Sequence, residues 1–314
     1  MSVSFLTAAF GLLLVCLVLL DVVVTTMTMN GGGAGANWLS YNTWRLFCRV
    51  KQLQGSSRMP MVTGPVTLIL VTLVWVGVTW LGWALIFSWD AISIVTEDSK
   101  RLAGLAERMY YTGYTITTIG YGDFRAEGTL GQIASVIAAL NGLSLLTLGV
   151  TYSMQVLTAV IEKRRLALMI TALNPLAVYA KSTDPQQLQR LADELGKLDK
   201  DIASAAQKYL AFPVIHFFPD RHQQTSLPLK IADLWRTMDV ISARREELSV
   251  ATSNQFDKTK LLIRVLTKNA IKCHWAFELG DKAEDENLAT EPLETLVKSY
   301  VDTSGWDWKA VTAI

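Results

Sequence analysis

The chain has 314 residues, with 29 Lys and Arg against 28 Asp and Glu, and a formal net charge of +1. This balance does not support binding to nucleic acid, which usually requires a basic surface. The apolar residues are concentrated in the first half and the charges in the second, which predicts a membrane domain followed by a water-exposed domain. Cys16, Cys48 and Cys273 are too few and too scattered to form a disulfide framework or a zinc cluster.

Residues 5–27 are almost entirely apolar or small, apart from Asp21, and are long enough to span a bilayer. No positive charge precedes this run, and it is longer than a signal-peptide core, so a retained helix is favoured over a cleaved signal peptide. Asp21 lies near the inner end of the run. It could face water at the membrane boundary or bond within the bundle, and its position favours the boundary role.

Residues 31–36 form a glycine-rich break. The pattern Gly31-x-Gly33-x-x-Ala36 formally fits a dinucleotide fingerprint, but it follows a membrane span instead of a strand, which excludes that reading. Residues 37–53 predict an amphipathic helix in the membrane interface, with Trp38 and Trp44 on its apolar face. A connector without defined depth is the alternative.

Residues 62–89 predict the second span. Its tryptophans cluster toward the far end, as in an aromatic belt: Trp75, Trp80, Trp83 and Trp89. Residues 103–117 then predict a short helix that dips part-way into the membrane.

This helix leads into Thr115–Asp123, which reads T-I-T-T-I-G-Y-G-D. A row of backbone carbonyls aimed at one axis can replace the water around a cation. Gly120 and Gly122 adopt the required backbone conformations at little cost. Thr118 adds a hydroxyl oxygen, while Ile119 and Tyr121 should point away and wedge the loop against a neighbouring helix. A coincidental glycine-rich turn is a weaker interpretation, because the run lies between two spans.

The run Thr118–Asp123, T-I-G-Y-G-D, resembles the filter of the potassium-channel pore family. The resemblance implies an all-α membrane protein with a helix, a re-entrant pore loop and a second helix. Here an extra N-terminal transmembrane helix precedes this unit, and an all-α cytosolic domain follows it. Potassium would bind Thr118, Ile119, Gly120, Tyr121 and Gly122, with no other metal or cofactor. Residues supporting the filter would be Tyr110, Tyr111, Tyr114, Thr117 and Asp123. Tyr114 replaces a carboxylate found in some members.

Residues 130–161 predict a charge-free third span that is longer than a bilayer requires. The family's spacing implies that Gly142 is a gating hinge, although close helix packing is nearly as good an explanation. The same spacing implies that Leu143, Leu146 and Val150 face a water-filled cavity and that Met154 lies near its inner constriction.

Charge predicts the orientation of these spans. Residues 31–60 contain basic residues and no acid, and Lys163, Arg164 and Arg165 follow the third span, so both segments are expected inside the cell. The N-terminus and the filter mouth are then outside, with the protein multi-pass in the cell membrane. The acidic flanks of the filter should concentrate cations. No spanning helix has the regularly spaced cations of a voltage sensor.

From residue 163 onward the pattern is helical. Asp184 and Pro185 mark a helix start, and apolar residues of 188–209 alternate spacings of three and four. This seam could form a coiled coil between subunits or pack into its own domain core, which is slightly favoured. Further helices are predicted at 227–248, 258–277 and 291–301, with an acidic loop at 278–294. Residues 209–222 loosely resemble a C-terminal region of some bacterial channel-like membrane proteins.

Four regions result: an N-terminal transmembrane helix (1–30), an interfacial linker (31–60), a pore domain (61–162) and a cytosolic helical domain (163–314). With one filter per chain, four chains must assemble in membrane lipid around the pore. Passive potassium conduction is the leading function, gated by an unidentified cytosolic ligand or protein. The alternatives are a poorly selective cation channel and a potassium-transporter subunit. No catalytic constellation suggests an enzyme.

Overall fold

The computed structural model describes residues 3–28, 31–53, 61–90, 92–182, 184–243, 248–275 and 291–312. The described part is mostly helical, which confirms the predicted fold class. The chain divides into two compact units. Unit 1 comprises Met1–Thr28, Gly33–Ala36 and Ile69–Met154, and unit 2 comprises Met29–Gly32, Asn37–Leu68 and Gln155–Ile314.

Long helices dominate the first half of the chain. They are α1 (Val3–Met27), α2 (Ala34–Leu53), α3 (Thr63–Ile86) and α5 (Gly128–Leu173), with the short α4 (Leu105–Ile116) between the last two. Among the described residues, three stretches are long and apolar enough to cross a membrane: Ser4–Met27, Thr63–Ile86 and Gly128–Tyr179. These stretches match the three predicted spans. The inner helix α5 continues to Leu173 instead of ending near Ile161, because its sequence lacks a helix-breaking residue until Asn174 and Pro175.

A two-stranded ribbon flanks α4 and the filter loop, and it was not predicted. Strand β1 (Ser93–Thr96) pairs antiparallel with β2 (Phe124–Glu127), with Ser93 opposite Glu127 and Thr96 opposite Phe124. The Glu97 amide then donates to the Asp123 carbonyl at 2.9 Å. Each strand has four residues, too short for a periodic signal, and the pairing spans the whole pore loop. The ribbon joins the chain entering α4 to the chain leaving the filter.

Asp21 bonds within the helical bundle, so the favoured boundary role is wrong. Its carboxylate accepts hydrogen bonds from Trp75 Nε1 at 2.8 Å and from the amides of Gly35 and Ala36 at 2.8 and 3.1 Å. Thr25 Oγ1 accepts from the Gly33 amide at 2.9 Å. The first amides of a helix have no partner within it, and a carboxylate there also meets the positive end of the helix dipole. Asp21 therefore caps α2 and joins it to α1 and α3.

Two of the four tryptophans assigned to the aromatic belt lie inside the protein. Trp75 and Trp83 are buried, at 3% and 5% exposure. Trp83 Nε1 donates to Asn141 Oδ1 at 3.0 Å, and Trp80 Nε1 donates to the Met109 carbonyl at 2.9 Å. A buried indole needs an acceptor for its N–H group, and these side chains find theirs inside the protein.

Unit 2 is built around α7 (Pro185–Ala211) and α9 (Val250–Trp275), with α6 (Pro175–Tyr179), α8 (Leu227–Ser242) and α10 (Leu293–Thr303) packed around them. The predicted start of α7 is confirmed, because Asp184 Oδ1 accepts from the Gln186 amide at 2.9 Å. The apolar seam of α7 is buried in the core of unit 2, which is the favoured interpretation: Leu188, Leu191, Leu195, Leu198, Ile202 and Tyr209.

Two helix boundaries in unit 2 differ from the predicted ones. Helix α8 ends at Ser242 instead of continuing to Leu248, and α9 begins at Val250, eight residues before the predicted Lys258. The missed first part of α9 includes Thr252, a polar residue that is buried and donates to Gln189 Oε1 at 2.8 Å, so apolar periodicity did not reveal it. Most of the predicted acidic loop (278–290) lies outside the described residues.

Helix α2 differs from the predicted interfacial helix in one respect. Trp38 is exposed at 64%, as expected of a side chain in the membrane interface, but Trp44 is only 3% exposed. The Trp44 ring packs instead on Phe217 and His216, with ring centroids 5.5 and 6.1 Å away. The two tryptophans therefore do not share one membrane-facing side.

Asp21→Ala should loosen the first turn of α2, because three donors lose their acceptor. We expect a loss of about 1–3 kcal/mol in unfolding free energy, since charge-assisted bonds and helix caps each contribute on this scale. Hydrogen exchange should rise at residues 33–37. Asp98→Ala, which removes an exposed loop carboxylate, is the matched control. Unchanged exchange at 33–37 would contradict the capping role.

Candidate functional site: the filter loop

The pore helix α4 aims its carboxyl end at the loop. At its start, the Glu107 side chain accepts from the Gly104 amide at 2.8 Å and from Arg101 Nη1 at 3.0 Å. At its end, the Thr117 amide still donates to the Gly113 carbonyl at 3.1 Å. The negative end of the α4 dipole therefore lies where the loop begins, and this favours a cation in the space beyond it.

The backbone of the loop alternates in the sign of φ. Thr118, Gly120 and Gly122 have φ of +58°, +62° and +83°, whereas Ile119 and Tyr121 between them keep negative φ. In an ordinary strand φ keeps one sign and successive carbonyls point to opposite sides. Alternation between left- and right-handed conformations turns successive carbonyls to the same side. The alternation in the sign of φ that a carbonyl row requires is therefore present from Thr118 to Gly122.

Sequence reasoning assigned positive φ to the two glycines and missed Thr118. A non-glycine residue in the left-handed region costs on the order of 1–3 kcal/mol and persists only where its surroundings impose it. Positive φ recurs at every second residue from Thr118 to Gly122. The spacing of the two glycines could therefore have indicated that Thr118, two residues before Gly120, shares their conformation. Strain of this kind is concentrated at functional sites.

Tyr114 holds the loop at two points. Its backbone carbonyl accepts from the amides of Ile119 and Gly120 at 2.9 and 3.4 Å. Its hydroxyl donates to the Phe124 carbonyl at 2.7 Å, beyond the outer end of the loop. One residue of α4 therefore binds two amides within the loop and also the first residue of β2.

Aromatic rings of α4 brace the outer half of the loop. The Tyr121 ring stacks on Tyr110 (centroids 6.1 Å apart, planes at 14°) and meets Tyr114 edge-on at 6.0 Å. The Tyr111 hydroxyl pairs with Ser135 Oγ at 2.5 Å, which connects α4 to α5. Tyr121 therefore rests on the pore helix of its own chain, while Ile119 stays 58% exposed.

The inner helix meets the pore helix at Gly142. A Cβ at this position would overlap the Ile116 carbonyl oxygen, so the two backbones touch directly. This contact accounts for Gly142 by close packing, and its hinge role stays a prediction. The residues assigned to the cavity and constriction are all exposed on one side of α5, at spacings of three and four: Leu143, Leu146, Val150 and Met154.

Tyr114→Phe removes one hydroxyl and leaves the ring contacts in place. The lost bond to the Phe124 carbonyl should cost about 1 kcal/mol and loosen the outer end of the loop. We expect faster amide exchange at residues 122–125, measured by mass spectrometry on purified protein. Tyr179→Phe, outside unit 1, is the control. Equal exchange in the two variants would show that the hydroxyl does not hold the loop.

Comparison with known proteins agrees with this geometry. Residues 66–159 match a family model described as ion channel. A protein of Bacillus subtilis (strain 168), named uncharacterized membrane protein YdjJ, is 28% identical over 221 residues, covering 69% of this chain. The match spans 64% of that protein, less than two thirds of its length. No solved structure matches the chain. The segment from residue 66 to residue 159 therefore matches an ion-channel family, as the resemblance drawn from the filter motif predicts.

Proposed function

We propose that the protein is a potassium-selective channel that conducts ions passively through a filter formed by Thr118–Gly122. Potassium is the substrate: it leaves its water shell and binds backbone carbonyls and the Thr118 hydroxyl. Repulsion between neighbouring ions in successive sites then lets each ion leave again. The alternating φ of the loop is the observation that carries this proposal, because it supports a row of carbonyls directed to one side.

The filter is completed by four copies of the chain around one axis. One loop supplies one wall of carbonyls, and a caged ion needs oxygens on all sides. The sequence contains one T-I-G-Y-G-D run, so the other walls come from identical chains related by closed symmetry. The exposed side of α5 at Leu143, Leu146 and Val150 lines the cavity below the filter in this assembly, with Met154 nearest its inner end.

The protein lies in the cell membrane with the filter mouth and N-terminus outside. Basic residues in 31–60 and at Lys163–Arg165 support this orientation through the positive-inside rule. The outer side carries carboxylates around the ribbon, including Glu97 and Asp123. Unit 2 then supplies the gating signal from the cytosol by binding a ligand or a protein.

Selectivity for potassium over sodium separates this proposal from a poorly selective cation channel. Ile119 and Tyr121 match the potassium form of the motif, and Tyr121 is braced by two tyrosines. In bilayers with opposing potassium and sodium gradients, the reversal potential should follow potassium. A potential that follows sodium as closely would favour the poorly selective channel. A conducting monomer would favour the transporter-subunit alternative.

Gly120→Ala should abolish potassium flux while leaving assembly intact. Nothing lies within 4 Å of a Cβ at Gly120, so the effect comes from its φ of +62°. Alanine disfavours this region by about 1–2 kcal/mol, which turns a carbonyl out of the row. Flux is measured with purified protein in liposomes, and assembly by size-exclusion chromatography.

Gly77→Ala is the matched control for this variant. Gly77 also has open space around a Cβ, but it lies inside α3 with ordinary helical geometry. We expect wild-type flux, because alanine is favoured over glycine within a helix. Normal potassium flux through the Gly120→Ala protein would contradict the filter assignment.

A further inference from the structure

The segment Pro213–Asp220, here called the junction segment, lies between α7 and α8 within unit 2. It begins as a 3-10 turn, Pro213–Phe217, and continues in extended form to Asp220. All eight of its residues are buried, although it contains a histidine and a carboxylate. Loops normally run over the surface, so a buried loop must make specific contacts that satisfy its backbone and its polar side chains.

The junction segment contacts α2 through aromatic rings. Trp44 packs on Phe217 and on His216, and Phe217 is 1% exposed. His216 Nε2 lies 3.0 Å from the Thr303 carbonyl at the end of α10. Pairs of aromatic rings at this distance contribute beyond the area that they bury. Helix α2 is thus attached to the junction segment at Trp44.

The first turn of α3 forms the second contact. A Cβ at Gly64 would overlap the Phe218 ring, so this ring lies directly against the α3 backbone. Gly64 is the second residue of the helix that continues through the membrane span Thr63–Ile86. The absence of a side chain at Gly64 is what allows Phe218 to approach.

The third contact is with α5 and uses buried charge. Lys163 Nζ donates to the Phe218 carbonyl at 2.7 Å and pairs with Asp220 Oδ2 at 3.3 Å. Arg164 Nε binds Asp220 Oδ1 at 2.9 Å. The side chains of Lys163 and Asp220 are 5% and 2% exposed. Separating such a pair leaves a buried charge without its partner, so the contact strongly favours one register between α5 and the junction segment.

We propose that the junction segment is the gating link of the channel, the element through which unit 2 acts on the outer and inner pore helices together. The inference rests on the proposed function, because it assumes that α3 and α5 form a conducting pore. Both helices continue without a break from their contacts at Gly64 and Lys163 into residues of unit 1. Since Phe217, Phe218 and Asp220 are nearly adjacent in sequence, a shift of this segment displaces the middle of α2, the start of α3 and the later part of α5 at once.

Contact alone does not establish coupling, because a well-packed cluster can leave the equilibrium between open and closed channels unchanged. The proposal therefore predicts a shared effect of three different variants. Phe217→Ala weakens the α2 contact, Gly64→Ala displaces Phe218 from α3, and Arg164→Gln removes one partner of Asp220. Each should change the open-to-closed ratio by about 5- to 100-fold, the usual range for coupled sites, and in the same direction.

Single-channel recording of purified protein in planar bilayers measures this ratio. The reversal potential should stay at the wild-type value, because none of the three residues touches the filter. Combining Phe217→Ala with Gly64→Ala should change the ratio by less than the product of the single effects, since both release the same segment. Effects in opposite directions, or an unchanged ratio in correctly assembled protein, would overturn the proposal.

Two control variants separate gating from stability. Arg221→Gln removes an exposed charge next to Asp220 and should leave the open-to-closed ratio unchanged. Leu191→Ala truncates a fully buried side chain in α7, early in the same unit, and should lower thermal stability without the shared gating effect. A ratio that shifts equally in Leu191→Ala would show that loss of stability, and not the junction segment, explains the result.

Hydrogen exchange provides a readout that does not depend on current. Phe217→Ala should raise exchange at the start of α3 (63–68) and in α5 (157–167), as well as in α2. A rise confined to α2 and residues 213–220 would contradict the link. If the wild-type protein carries no current, the proposed channel function fails, whereas the exchange pattern still decides whether one segment holds the three helices.

Discussion

The filter loop depends on one constraint of the backbone. The sign of φ alternates along this loop, with positive values at Thr118, Gly120 and Gly122. Regular helices and strands keep φ negative, so the amides of this loop cannot join a regular ladder and need other acceptors. The Tyr114 carbonyl does so for Ile119 and Gly120.

Contacts with other elements of unit 1 hold this loop at both ends. The pairing of β1 with β2 and the Glu97–Asp123 bond close the outer end. At the inner end, α5 approaches the Ile116 carbonyl so closely that position 142 must be glycine. Between these ends Tyr110, Tyr114 and Tyr121 form a cluster of rings. Rings are rigid and bury a large area, which suits them to support a strained backbone.

Polar side chains elsewhere in the protein also pair with groups from other elements. Asp21 lies in a membrane-length helix, yet its oxygens are occupied by two backbone amides and an indole. Asn141 and Trp83 satisfy each other in the interior of unit 1. In unit 2, Asp220 lies between Lys163 and Arg164. Asp21 and Asn141 thus connect helices, and Asp220 connects the junction segment to α5, because a partner from another element offsets the cost of burial.

The sequence by itself determined the order of the spans, the pore loop and the start of α7, since these depend on local properties. Hydrophobic length predicts a span, and a proline after an N-cap residue predicts a helix start. The T-I-G-Y-G-D run indicated the site because its glycines have a backbone requirement of their own.

Tertiary structure decided what those local patterns leave open. The pairing of β1 with β2, the positive φ of Thr118 and the burial of Trp44 and Trp75 all depend on residues far away in the chain. Asp21 could not be assigned from its own helix, because its partners are 14, 15 and 54 residues away. A one-dimensional pattern shows which groups need partners. Only the packed chain shows which partner each one finds, since that choice is set by contacts between elements that are distant in sequence.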